Sequence, residues 1–114
     1  MADRQFCALV DGILTIVGVP FKHGVYDPGE SRGEIFIGYN FYEVPKLHGD
    51  GDEEETEFTI TLDIISVNAE TIDSTYERLL PLMLENGFTR AGGSYSVSSA
   101  YPKYYQKSVD FKYC

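Results

Sequence analysis

Residues 56–66, TEFTITLDIIS, decide the fold. Phe58, Ile60, Leu62 and Ile64 alternate with Glu57, Thr59, Thr61 and Asp63. Successive side chains of a strand point to opposite faces, so this pattern predicts an antiparallel strand with one buried face. Upstream, residues 35–44, IFIGYNFYEV, alternate Ile35, Ile37, Tyr39 and Phe41 with Phe36, Gly38, Asn40 and Tyr42. Aromatics on both faces predict a strand covered on both sides, at least in an assembly. Pro45 is expected to end it, and residues 46–55 are expected to form a polar loop.

Helical spacing brackets this pair. Phe6, Leu9, Val10, Ile13, Leu14 and Val17 repeat every three or four residues, the stripe of an amphipathic helix. Asp3 is the expected N-cap, and Gly18 followed by Pro20 is the stop. Gly12 weakens the pattern by ~1 kcal/mol relative to Ala. Residues 71–86 form a second helix with Ile72, Tyr76, Leu79, Leu80, Met83 and Leu84 as its stripe. Asn68 caps its start and Gly87 its end. Pro81 has no amide to bond back to Glu77, which predicts a kink or break. Residues 88–98 and 104–113 read as a closing hairpin, with Tyr105, Val109, Phe111 and Tyr113 on one face. Residues 19–34, VPFKHGVYDPGESRGE, read as a turn-rich loop with a short extended piece at its start. The fold class is α+β: a mostly antiparallel sheet with two helices packed on one face, in a single domain spanning residues 1–114.

The chain has 114 residues and a net charge of -9. At that size about two-thirds of the unfolded surface is buried, enough for one core without staples. An acidic chain gains nothing from counterion release, which disfavours specific nucleic-acid binding and adhesion to anionic membranes. No stretch approaches the ~20 apolar residues of a membrane span. The N-terminus lacks the pattern of a secretory signal, so a cytoplasm is the expected compartment. Cys7 and Cys114 are read as free thiols there; a disulfide between them requires the chain ends to meet.

Acid concentrates in residues 49–57, GDGDEEETE, while residues 103–112 are locally basic. Asp50, Asp52, Glu53, Glu54, Glu55 and Glu57 supply oxygen ligands, but their spacing is not that of an EF-hand, and a solvated, self-repelling loop is the preferred reading. No metal, cofactor or catalytic group is assigned. His23 and His48 lie in glycine-rich loops outside any nucleophile motif. Tyr95, Tyr101, Tyr104 and Tyr105 beside Lys103 and Lys107 are read as core and interface packing rather than base stacking.

Residues 63–88, DIISVNAETIDSTYERLLPLMLENGF, followed by the tyrosine-rich YYQKSVDFKY at 104–113, resemble the tail-completion (tail-terminator) proteins of long-tailed phages and prophages. In that family a strand leads into a helix that ends in a leucine-rich stretch and a Gly-Phe pair, here Gly87-Phe88 after Leu79, Leu80 and Leu84. The earlier aromatic strand also fits, and the likeness covers about two-thirds of the chain, while the acidic run has no family counterpart. The resemblance implies a structural protein, not an enzyme. It implies a hexameric ring that caps the tail tube and meets the head-tail connector, assembled in the bacterial cytoplasm and resident in the virion neck. Its partners would be copies of itself, the tail-tube protein and the connector protein. Subunits of this kind can stay monomeric until a partner templates them. On this view Phe36 and Tyr42 are candidates for subunit contacts, with Phe21, His23 and Tyr26 on an arm that reaches a neighbour. Asp50, Asp52, Glu53, Glu54, Glu55 and Glu57 would line or rim the lumen and repel DNA phosphates. Two alternatives stay open. One is another neck component, either a connector subunit or a tube protein. The other is a small dimeric module that binds a ligand or a peptide at a sheet edge.

Overall fold

A computed structural model describes residues 2–24, 34–47, 54–98 and 103–113. Its elements are α1 (Asp3–Val17), β1 (Phe21–His23), β2 (Ile35–Leu47), β3 (Glu54–Ser66), α2 (Ala69–Glu85), β4 (Thr89–Val97) and β5 (Tyr105–Tyr113). The strands form one sheet in the order β1-β2-β3-β5-β4. Only β1 and β2 run parallel; the other pairs are antiparallel. The fold is therefore α+β, a mixed and mostly antiparallel sheet with both helices on one face.

Register explains the single core. Ile37 lies beside Ile64, and Tyr39 beside Leu62, which in turn lies beside Val109; Ile60 pairs with Phe111. All of these point to the same face, and all are buried with Phe6, Val10, Ile13, Leu14 and Val17 of α1 and Ile72, Leu79 and Met83 of α2. Phe6 is the knot of this core. Its ring stacks on Phe58 at 4.3 Å and meets Phe41, Phe88 and Tyr113 within 6.0 Å. The first helix and the last strand therefore meet.

Local chemistry sets the helix ends. Ala2, not Asp3, is the N-cap of α1; its amide donates to Gln5 Oε1 at 2.8 Å. Asp3 instead occupies the first turn, where a carboxylate favours the helix dipole. Asn68 caps α2 by accepting the Glu70 amide at 2.9 Å. At the far end Phe88 donates to the Met83 carbonyl at 3.0 Å and Gly87 to the Leu84 carbonyl at 3.2 Å, with Gly87 at φ 91°. This is a Schellman closure, which requires the left-handed conformation that glycine adopts without strain.

Three expectations are corrected. β2 continues through Pro45 to Leu47, and β3 begins at Glu54, so residues 46, 47, 54 and 55 of the expected loop are strand, and the rest of it lies outside the described residues. Ile37 donates to Pro20 and the Tyr39 carbonyl accepts from Gly24, so the odd residues of β2 point their backbone groups away from β3. Pro45 shares that parity, and its missing amide interrupts no bond to β3. Likewise α2 runs unbroken through Pro81. Pro81 and Glu77 both lie on the exposed face, where water reaches the unpaired carbonyl. Leu84, expected in the stripe, is exposed, and Thr75 takes a buried position instead.

Removing the Phe6 ring from the centre of four aromatics leaves a cavity. Phe6→Ala is expected to cost about 3–5 kcal/mol in urea unfolding, whereas Ile16→Ala, on the exposed face of α1, should stay within about 0.5 kcal/mol of the parent.

Candidate functional site: the helix-free face and the sheet edges

The helices cover one side of the sheet. The other side carries the alternate residues: Phe36, Gly38, Asn40, Tyr42 and Val44 of β2, Glu57, Thr59, Thr61, Asp63 and Ile65 of β3, and Gln106, Ser108, Asp110 and Lys112 of β5. Across its middle runs a polar network. Thr61 Oγ1 donates to Asp110 Oδ1 at 2.7 Å. Ser108 Oγ donates to Asp63 Oδ1 at 2.6 Å and accepts from Gln106 Nε2 at 3.0 Å. Both carboxylates are thus held by hydroxyl donors rather than by cations. Lys112 Nζ stands 3.9 Å from Glu57 Oε1. With Glu57, Asp63 and Asp110 against Lys112, this face is net acidic.

At one end of the face Phe36 and Ile65 are buried, with the Tyr104 ring edge-on to Phe36 at 5.8 Å. At the other end Tyr42 and Val44 are exposed. Phe36 is therefore no subunit contact: it has no free surface, because Tyr104 returns over it from the far end of the chain. Tyr42 keeps the exposure that a contact residue needs. Glu57 is also corrected as a free lumen acid; it is buried and faces Lys112. Glu54 and Glu55 are strand residues opposite Leu47 and Lys46, not loop residues. Asp50, Asp52, Glu53, Tyr26 and His48 lie outside the described residues.

A second cluster sits where α1 crosses β1 and β2. The buried Tyr39 hydroxyl donates to Asp11 Oδ1 at 2.7 Å. Burial first, and then Asp11, push the phenol far above its ordinary value, so it stays a proton donor. His23 is exposed and lies flat on Tyr39 at 4.9 Å and on Phe41 at 5.3 Å. Its Nδ1 stands 3.9 Å from the Cys7 thiol. Sequence separation of sixteen residues hid this pair. Phe21 is half-buried against the core. The expected arm is thus anchored through Gly24, whose amide donates to the Tyr39 carbonyl at 2.8 Å. Gly24 at φ 108° lies so close to Gly38 that a Cβ there would come within 2.8 Å of the Gly24 oxygen. Cys7 is a free thiol, while Cys114 lies outside the described residues. Among the described residues no cleft forms, and no three His, Cys, Asp or Glu side chains gather as a metal site. No described helix is long and apolar enough to cross a membrane.

The two sheet edges differ. β1 covers only Ile37–Tyr39 of β2, so from Phe41 onward the outer edge of β2 has no strand beside it among the described residues. Glu43 lies on this stretch and shares a hydrogen bond with Asp3 of α1. That bond, ahead of desolvation and charge repulsion, raises the Glu43 carboxyl above its ordinary value. The opposite edge is β4, paired only with β5. Arg90 of β4 and Lys107 of β5 both lie near the Tyr76 ring of α2, at 6.0 and 4.7 Å from its centroid. Tyr95 and Tyr105 stack at 6.2 Å with both rings exposed. Tyr104 packs against the buried Phe36 as expected, whereas Tyr95 and Tyr105 are exposed and stack on each other, and Tyr101 lies outside the described residues.

The class that fold and surface define is a small α+β domain with one helix-covered face, one polar face and, among the described residues, two edges without a partner strand. Among known proteins, no family model matches the chain and no curated protein matches it.

Two outcomes follow. Asp11→Ala strands the buried Tyr39 hydroxyl and should cost about 1–3 kcal/mol, more than Tyr39→Phe, which removes both the hydroxyl and its need for a partner; urea titration of the two variants compares them. Because the Glu43 carboxyl is raised in the folded state, folding favours its protonated form, and that contribution is present at low pH and is lost as pH rises through the raised value. The thermal midpoint of the parent should fall over that window relative to Glu43→Gln, which cannot ionise.

Proposed function

We propose that the chain is a structural subunit of the neck of a long-tailed phage or prophage. It acts as a tail terminator whose hexameric ring caps the tail tube and joins it to the head connector. The observation that carries this reading is a sheet clad by helices on one face only, with, among the described residues, no strand beyond either outer edge. Such a unit buries its own core and still has two separate surfaces to offer neighbours, as a ring requires. The strand, helix and Gly87-Phe88 closure on which the resemblance rests occur in the order that it implies.

The work of such a subunit is assembly, not turnover. Asp63 and Asp110, fixed by hydroxyl donors on the polar face, together with the acids of the sequence at 50–55, suit a wall past which DNA slides. Like charges repel phosphate and leave no counterions to release. A peptide-binding module is the second reading, favoured by the free β4 edge, where an extended segment would add as a sixth strand.

Deleting the gene from the phage or induced prophage that carries it, and imaging the lysate by electron microscopy, separates the two. Filled heads beside unattached tails of abnormal length are expected. Normal virions would contradict the ring reading and leave the module reading in its place.

A further inference from the structure

Among the described residues the two outer edges of the sheet have no partner strand and lie in surrounds of opposite charge, and only one of them is guarded. Natural sheets blunt an open edge with proline, lysine, bulges or short strands. The β1 side has such guards: β1 is three residues long, and Pro45 stands on the uncovered half of β2 with its nitrogen turned outward. β4 is nine residues long. Its bulge is confined to Arg90/Gly92, and from Gly93 to Val97, GSYSV, the ladder with β5 is regular, uncharged and free of proline. Tyr95 and Val97 are exposed along it.

Charge then selects the occupant. Residues 89–113 contain Arg90, Lys103, Lys107 and Lys112 against the single acid Asp110, so the chain's -9 divides into +3 there and -12 in the remainder. At the opposite edge Glu43 and Asp3 lie together, and the same strand leads into the acid run of residues 49–57. Phe41 and Glu43 turn their backbone groups outward on this edge, enough for a short ladder that stops at Pro45.

We infer that the uncharged β4 edge, within its basic surround, pairs with the acidic β2 edge of a second copy of this chain, joining sheets head to tail. This rests on the ring reading and names its joint. Two β4 edges would bring like charge together, so the contact is heterologous and repeats until it closes. It also weakens as salt rises, since rim charges are screened beyond about 10 Å at 0.1 M.

The test uses two variants of the full chain, Val97→Asp on the β4 edge and Glu43→Lys on the β2 edge. Both positions are exposed, and circular dichroism verifies that each variant is folded. Sedimentation velocity up to millimolar protein follows association. Each variant alone should associate more weakly than the parent by roughly tenfold or more. An equimolar mixture should form a one-to-one heterodimer, because it still holds one intact edge of each kind. A ring that forms unchanged in both variants would overturn the edge joint and leave the ring reading standing. A dimer abolished by Val97→Asp but untouched by Glu43→Lys would overturn both, since it would mean twofold β4 pairing. A parent chain that stays monomeric both alone and in the presence of tail tubes would overturn the edge joint.

Discussion

A strand that is apolar on one side only has to be covered on that side only, and β3 imposes this condition on the whole sheet. It is the central strand, laddered to β2 over its full length and to β5 over nine residues. Its register places Ile37, Tyr39, Val109 and Phe111 beside its own Phe58, Ile60, Leu62 and Ile64. Both helices have to cross that one face. Burying these side chains, at about 25 cal/mol per Å² of apolar surface, is the main force that holds the helices down. Phe6 then fixes α1 at one end, against rings from β2, β3, β5 and the α2–β4 junction.

The same condition leaves the opposite face polar. Asp63 and Asp110 stay there because Ser108 and Thr61 donate to them. Strand order does the rest. The route from β3 through α2 carries β4 past β5 to the outside of the sheet, while β1 adds only three residues on the other side. Coverage of one face, hydroxyl-held acid on the other and dissimilar edges are thus consequences of one alternating strand and one crossover. A subunit of a closed assembly needs this combination: a core that is complete within the chain, and two unlike surfaces that are not.

Most of this architecture was legible in the sequence, for reasons that particular residues make clear. Alternation in residues 56–66 and three-four spacing in α1 and α2 are local signals, and the elements appear where the periods place them. Asn68, Gly18 and Gly87 marked helix ends because cap chemistry is also local. What was hidden depends on distant neighbours. Pro45 is tolerated because its nitrogen points away from β3 and no described strand lies on that side, and Pro81 because its turn faces water. Phe36 looked like a contact residue until Tyr104, far along the chain, was seen to cover it. The Cys7–His23 approach and the Tyr39–Asp11 bond join α1 to β1 and β2 across the fold, and no spacing rule announces them. The opposite charge around the two edges was half visible, as a basic stretch and an acid run. Strand order was needed to place them on opposite sides of one sheet.

The most direct test of the account is a cryo-electron microscopy map of the assembled particle at a resolution that separates strands. Residues 93–97 of each subunit should lie at hydrogen-bonding distance from residues 41–44 of the next, with sheets running on from copy to copy around the ring. Subunits that met through their helices, with both sheet edges facing solvent, would contradict it.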